Sequence, residues 1–218
     1  YAGYYDRIHR ELSKLPVPLN VSVRLSHKLP EPEIAKLQGV QWRPRQIDVF
    51  SRMMAHEGGV IVCPTAFGKS FLIRQLSRVY PTAKIIVTVT SLDVARTLYE
   101  ELKTTVPDLG FCGTGMQRPQ RVTVAVTNSL DNCDPEAQLV LVDECHCALA
   151  PSVIKKLNRF RRAKLFGFTA SPTGRSDGGD GFMEALFGST LVDVSYQEGV
   201  KHGNIVQLRV KVYKCTSG

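Results

Sequence analysis

The stretch Val60-Ile61-Val62-Cys63-Pro64-Thr65-Ala66-Phe67-Gly68-Lys69-Ser70 decides how the rest of the chain is read. An apolar, β-branched run passes into a small-residue turn, then Gly-Lys-Ser, then a segment of helical spacing that opens at Phe71. A loop that cradles phosphate needs that order. The buried strand anchors it, successive backbone N–H groups turn inward, and the helix N-terminus adds positive potential. In such a loop Lys69 reaches the outer phosphates and the Ser70 hydroxyl serves Mg²⁺. The match to G-x-x-x-x-G-K-[ST] is incomplete, because Cys63 stands at the first Gly position. A chance Gly-Lys-Ser in a turn reads the same way, so the surrounding chain has to discriminate.

Upstream, Pro44-Arg45-Gln46 opens a helix through Met54, with Ile47, Phe50, Met53 and Met54 spaced for one face. Downstream, residues 71–79 form the helix after the loop, stopped by Pro81. Residues 84–89 (Lys-Ile-Ile-Val-Thr-Val) read as a strand of the buried parallel type. Ser91 caps a helix to about residue 105, with Leu92, Ala95, Leu98, Tyr99 and Leu102 as its stripe. Strands follow at 109–112, 121–126, 139–142 and 164–168, with a helix at 151–157 between the last two. The Gly/Asp/Ser-rich run 174–181 is expected to be a mobile loop. A short helix at 182–187 and strands at 191–194 and 207–213 close the chain. Strands alternating with helices at this spacing predict a mostly parallel, doubly wound α/β sheet. The motifs fall just after strands, where ligands of such sheets bind.

Residues 1–40 are the least regular part. A short amphipathic helix at 5–15 and a strand at 19–25 are broken up by Pro16, Pro18, Pro30 and Pro32. They are expected to be a small accessory segment or linker before a domain at 41–218. The chain does not open with Met, and the reading is of a fragment or processed chain.

Composition sets outer limits. The 218 residues carry 28 Lys+Arg against 20 Asp+Glu, a formal charge of +8. That suits solubility and, more pointedly, a polyanionic partner. No apolar run approaches the ~18–20 residues of a membrane span, and the polar N-terminus has no signal-peptide core. The six cysteines form no C-x-x-C pair and no spaced ligand set, which fits a reducing, intracellular compartment. Cys145-His146-Cys147 resembles a metal pair, but alternation at a strand end would send neighbours to opposite sides.

A second constellation discriminates. Leu139-Val140-Leu141-Val142 runs straight into Asp143-Glu144-Cys145-His146. Phosphate-loop ATPases need a carboxylate at a neighbouring strand end for Mg²⁺, usually through water, and a base that orients the attacking water. Asp143 and Glu144 supply both. A surface Asp-Glu pair is common by itself; placed after four apolar residues and downstream of Gly-Lys-Ser, it points to nucleoside triphosphate binding.

These residues resemble a known family. Asp143-Glu144-Cys145-His146 looks like the DExH box of superfamily 2 helicases and translocases, and Gly68-Lys69-Ser70 looks like their motif I. Thr169-Ala170-Ser171 looks like motif III, and Trp42-Arg43-Pro44-Arg45-Gln46 resembles the Arg-Pro-x-Gln segment of XPB-like, RecG-like and UvsW-like members. The UvsW-like phage DNA helicases are the nearest in feel. The resemblance covers about residues 41–213 and implies one RecA-like domain, the first of two motor domains, using ATP and Mg²⁺ on nucleic acid, with DNA favoured over RNA. A cytoplasmic location follows, in the host if the source is viral.

Carried over residue by residue, the resemblance implies that Gln46 reads the adenine edge beside Arg43. Thr65, Ala66, Phe67, Gly68, Lys69 and Ser70 hold the phosphates, Ser70 and Asp143 serve Mg²⁺, and Glu144 positions water. His146, Thr169, Ala170 and Ser171 relay nucleotide state to the nucleic-acid side. Thr90 and Ser91 fall at motif Ia and Thr127, Asn128 and Ser129 at motif Ib. There, hydroxyls and helix-start amides hold phosphates without reading bases, and ordinary helix capping explains the same residues. Arg96, Arg118 and Arg121 are candidates to extend that track. Cys63 and Ala66 depart from the family's usual Gly. The chain ends at Gly218, before any second motor domain with its arginine finger, whose loss costs roughly 10³–10⁵ in rate. Alone it is therefore expected to turn over ATP very slowly. Three alternatives stand beside this reading. They are an RNA helicase of the same superfamily, a nucleic-acid-binding module with a vestigial ATP site, and another phosphoryl-transfer enzyme such as a kinase or a GTPase. The missing Asn/Thr-Lys-x-Asp motif counts against the GTPase.

Overall fold

A computed structural model describes residues 29–160, 162–171 and 179–201, together with Glu11, Leu12 and Lys14. The expected strands at 19–25 and 207–213, most of the N-terminal helix and residues 174–178 of the expected loop lie outside the described residues.

The elements run α1 (Gln46–Ala55), β1 (Gly58–Val62), α2 (Lys69–Val79), β2 (Ile85–Val89), α3 (Leu92–Leu102), β3 (Leu109–Gly113), β4 (Met116–Arg118) and β5 (Val122–Val126). A 3₁₀ turn (Thr127–Asn132) leads to β6 (Leu139–Val142), a second 3₁₀ turn (Cys145–Leu149), α4 (Pro151–Leu157), β7 (Lys164–Thr169), α5 (Gly179–Phe187), β8 (Thr190–Asp193) and α6 (Tyr196–Lys201). They build one eight-stranded sheet of order β4-β3-β5-β2-β6-β7-β1-β8. Every pairing is parallel except β3 with β4.

The strands are apolar because both of their faces are covered. Alternate residues of one strand enter different cores: Ile61 joins Val49, Phe50, Leu72, Leu76 and Ala95, whereas Val60 and Val62 join Cys145, Ala148, Leu157 and Phe187. Helices α1, α2 and α3 thus cover one face, and α4, α5 and the 145–149 turn cover the other. This is the mostly parallel, doubly wound α/β arrangement that the strand pattern predicts, and it agrees with the RecA-like domain that the resemblance implies. Among the described residues no helix is long and apolar enough to cross a membrane.

Several local expectations are corrected. Helix α2 begins at Lys69 rather than Phe71, because Gly68 at φ 98° swings the chain into its first turn there. On α1 the buried side is Gln46, Val49, Phe50 and Met53, while Ile47 is 55% exposed. Strand β4 has no residue facing a core, so no hydrophobic period announces it; it returns antiparallel along β3 through Gly115 at φ 80°. Part of the expected Gly-rich loop, from Gly179, belongs to α5, and α6 carries a helix that periodicity did not mark. Cys145-His146-Cys147 sits on a 3₁₀ turn, not a strand end, with Cys145 buried and Cys147 exposed.

Residues 29–40 pack onto the sheet domain. The Glu33 N–H donates to the Val79 carbonyl at 2.8 Å, and Leu29 and Leu37 lie against the core. At the opposite edge from the motifs, Arg121 bonds Asp108 through two guanidinium nitrogens and donates to the Tyr80 and Ala83 carbonyls at 3.0 and 3.3 Å. Arg121 is therefore a structural clamp and not an extension of a nucleic-acid track.

Candidate nucleotide-binding site

The carboxyl ends of β1, β2, β6 and β7 are laced together by backbone hydrogen bonds. The Cys63 N–H donates to the Thr169 carbonyl at 2.9 Å, tying the loop after β1 to the end of β7. The Asp143 N–H donates to the Thr88 carbonyl at 2.9 Å, tying the end of β6 to β2. The motifs therefore share one edge with little freedom to drift apart.

Between Pro64 and Gly68 the loop folds back on itself, with the Phe67 N–H donating to the Pro64 carbonyl at 3.2 Å. Phe67 is fully buried in the α1–α3 core, so only its backbone is offered to the loop. Ala66 and Gly68 both take positive φ, 69° and 98°. Left-handed residues within a loop before a helix are a recurring feature of anion nests. Cys63 is 1% exposed at the base of the loop, and burial pushes its thiol up to about 12. It is a neutral, apolar floor where the usual motif has glycine.

Lys69, in the first turn of α2, crosses the edge to form an ion pair with the Asp143 carboxylate, and the Glu144 N–H donates to the same oxygen at 3.0 Å. A cleft of about 580 Å³ opens here, lined by Thr65, Ala66, Gly68, Lys69, Ser70, Asp143 and Glu144 and by Asp93, Thr97 and Glu101 of α3. Its floor is apolar, formed by Val87, Val89, Leu141 and Phe168. Glu144 adopts φ 49°, a left-handed conformation that costs a residue with a Cβ roughly 1–2 kcal/mol. The kink turns the chain out of β6 and into the 3₁₀ turn that carries His146.

His146 Nδ1 lies 2.9 Å from the Thr169 hydroxyl and 3.4 Å from a Glu144 carboxylate oxygen. Thr169 is fully buried, and its hydroxyl oxygen also accepts from the Ser171 N–H at 3.1 Å. The structure thus brings His146, Thr169 and Ser171 together; Ala170 is exposed beside them.

Gln46 is bonded within the protein, to the segment before α1 and to the phosphate loop. It is 2% exposed, its carbonyl oxygen accepts from the Arg43 N–H at 3.0 Å, and its amide donates to the Phe67 carbonyl at 2.9 Å. One acceptor site and one donor of the amide hold the phosphate loop to the start of α1. Arg43 is exposed and does not line the cleft. Trp42 instead packs on Phe50 and Phe71, with ring centroids 5.1 and 5.3 Å apart, and braces the same junction.

Of the residues at motifs Ia and Ib, Thr90 lines the cleft, and Ser91 accepts from the Val94 N–H at 3.3 Å as the cap of α3. The Thr127 hydroxyl donates to the Val89 carbonyl at 2.9 Å, while Asn128 is exposed and Ser129 partly so. Sequence reading overlooked Thr88, fully buried within β2, whose hydroxyl lies 3.3 Å from that of Thr127. A threonine inside a β-branched run carries no signal of that role.

A phosphate loop facing a strand-end Asp-Glu, with a His-to-Thr link on the next strand, belongs to the nucleotide-driven motors of superfamily 2. The chain is the N-terminal RecA-like domain of that helicase and translocase class. Residues 39–174 match the family described as "Type III restriction enzyme, res subunit", and the chain belongs to that family. No curated protein sequence matches it. Among solved structures, it resembles the UvsW helicase of bacteriophage T4 (17% identity, TM-score 0.58, over 86% of this chain and 67% of that one). It also resembles the Hef helicase domain of Pyrococcus furiosus (16%, TM-score 0.56, over 71% and 38%). A third is the Sulfolobus solfataricus SWI2/SNF2 ATPase core in complex with double-stranded DNA (18%, TM-score 0.52, over 73% and 37%). At these identities the likeness is one of fold. The chain spans 67% of the UvsW structure and well under half of the other two.

Proposed function

We propose that residues 41–218 form the first motor domain of an ATP-dependent DNA translocase or helicase, with residues 1–40 as an accessory segment and a second RecA-like domain closing over the cleft. Unpaired thiols at Cys63, Cys112, Cys133, Cys145 and Cys147 favour a reducing cytoplasm as its compartment. The observation that carries the reading is the approach of Lys69 to Asp143 across the sheet edge, beside Ser70 and Glu144.

The donor set fits ATP with Mg²⁺. Thr65, Ala66, Gly68, Ser70 and the Lys69 ammonium line the cleft, and Ser70 and Asp143 offer oxygen ligands. Mg²⁺ would supply charge neutralisation of the phosphates as the leaving oxygen departs. For nucleotide to bind, Lys69 must exchange the Asp143 carboxylate for phosphate oxygens, which frees Asp143 for the metal side. Glu144, held outward by its left-handed backbone, accepts a proton from or orients the attacking water. His146 feels that change through its contact with Glu144 and passes it to Thr169, whose hydroxyl is bonded to the backbone of Ser171. Thr90, Ser91, Thr127, Asn128 and Ser129 lie at strand ends of the same edge and would grip sugar-phosphate.

Calorimetric titration with ATP-Mg tests the site. Wild type is expected to show binding heat and Lys69→Ala none; heat in neither would mean a vestigial site. Glu144→Gln should keep the heat while any turnover is lost. Binding of GTP in preference to ATP would overturn the nucleotide assignment. RNA bound more tightly than DNA of the same sequence would overturn the DNA preference.

A further inference from the structure

The 3₁₀ turn Thr127–Asn132 is joined to α4 by charge as well as by packing. Lys156 Nζ donates to the Asn128 carbonyl at 2.8 Å and pairs with the Asp131 carboxylate. Arg159 Nη1 donates to the other Asp131 oxygen at 3.1 Å and to the Leu130 carbonyl at 3.4 Å. Hydrogen bonding from Lys156 holds the Asp131 carboxyl below the usual carboxylate range. The Lys156 side chain is 21% exposed and Asp131 54%, so the lysine is covered while its carboxylate partner faces water.

Helix α4 is also the continuation of the catalytic turn. The chain leaves β6 at Asp143-Glu144, forms the 145–149 turn and enters α4 at Pro151. Leu130 and Cys133 from the first turn share one apolar cluster with Cys145, Ala148 and Leu157 from the second turn and α4. Apolar contact of this kind fixes separation but not roll, because it is non-directional. Hydrogen bonds from two cations to successive parts of the turn do fix roll. Its other end is fixed by Thr127 on the Val89 carbonyl, beside the strand whose Thr88 carbonyl receives Asp143.

We propose that Lys156 is a positioning residue that couples nucleotide state to the grip on nucleic acid, by making the Asn128-bearing turn move with α4 and the Asp143-Glu144-Cys145-His146 turn. This rests on the reading of Thr127, Asn128 and Ser129 as sugar-phosphate contacts. By linkage, a coupling of this kind appears as a nucleic-acid affinity that depends on bound nucleotide.

The experiment measures anisotropy of a labelled oligo-dT strand titrated with the whole chain, with and without a non-hydrolysable ATP analogue and Mg²⁺. Wild type should show two different Kd values. Lys156→Ala should bring their ratio to about one and weaken binding by about fivefold or more, while analogue affinity and Tm stay near wild type. Lys156→Arg, which keeps the charge and carries more than one donor, should restore the ratio. The slope of log Kd against log salt should be unchanged in Lys156→Ala; a slope lower by about one would make Lys156 a direct phosphate contact and overturn the positioning role. An unchanged ratio in Lys156→Ala, or a wild-type affinity indifferent to nucleotide, overturns it equally. If Lys156→Ala does not fold, Asp131→Asn is read instead. It removes the ion pair but leaves the Asn128 contact, and should reduce the ratio; no reduction overturns the proposal. Failure of wild type to bind oligo-dT at all sinks the underlying reading of the 127–129 turn, a different result from binding that Lys156→Ala leaves untouched.

Discussion

Gly68 offers the sharpest test of how the phosphate loop is built. Its φ of 98° is left-handed, yet Ala66 two residues earlier holds φ 69° with a Cβ in place. Backbone freedom alone therefore does not explain the glycine. A Cβ at Gly68 would sit 2.4 Å from Gln46 Nε2, the atom that donates to the Phe67 carbonyl. Gly68→Ala must push that buried amide away. The left-handed backbone costs roughly 1–2 kcal/mol for a residue with a Cβ. Unpairing the buried amide and carbonyl costs about 1–3 kcal/mol more. A total near 3 kcal/mol in a chain of this size lowers Tm by roughly 6–12 °C. The mechanism is separated by a double-mutant cycle with Gln46→Ala, read by urea unfolding and nucleotide titration. Once Gln46 is gone there is nothing to displace, so Gly68→Ala should then cost only its backbone share. The coupling should be about 1–3 kcal/mol. Costs that add to within about 0.5 kcal/mol would refute the argument, and would mean that Gly68 does not serve to admit Gln46.

Three further outcomes come from the remaining geometry. Arg121→Met should destabilise the chain by about 2–3 kcal/mol, because it strips a charge-assisted pair from Asp108 and donors from two carbonyls. The pH dependence carries a sign. Hydrogen bonding from Arg121 holds the Asp108 carboxyl below its ordinary value, so the stabilisation is fully present above the unfolded value of about 3.9 and is lost as pH falls through the lower folded value. Acid titration of Asp108→Asn should therefore begin to converge with wild type below about pH 4 and meet it only below the lower folded value, and a gap that does not narrow as pH falls below about 4 would refute the pairing. Thiol mapping gives a separate check. Among the described cysteines Cys147 is exposed, whereas Cys63 and Cys145 are buried and pushed up to about 12. An alkylating reagent at neutral pH should label Cys147 and leave Cys63 and Cys145 untouched until the chain is unfolded; early labelling of Cys63 would contradict a closed loop base.

The fold class and the order of the motifs were legible in the chain before it folded. Buried parallel strands such as Ile85–Val89 and Leu139–Val142 are apolar on both faces, and that signal is local. Gly68-Lys69-Ser70 and Asp143-Glu144 were equally legible, because phosphate and metal chemistry demand those residue types just after a strand. What stayed hidden has no local period. Strand β4 is exposed throughout, α6 is short, and α5 opens on glycines that favour a loop by composition. The hydrogen-bond partners of the polar side chains, by contrast, are set by the folded arrangement. It turned Gln46 inward onto Phe67, sent Arg121 to the opposite edge, and joined Lys156 to Asn128 across residues far apart in the chain. Hydrophobic burial is written into composition and spacing, whereas the partner of a donor is set by what the folded chain places within about 3 Å of it.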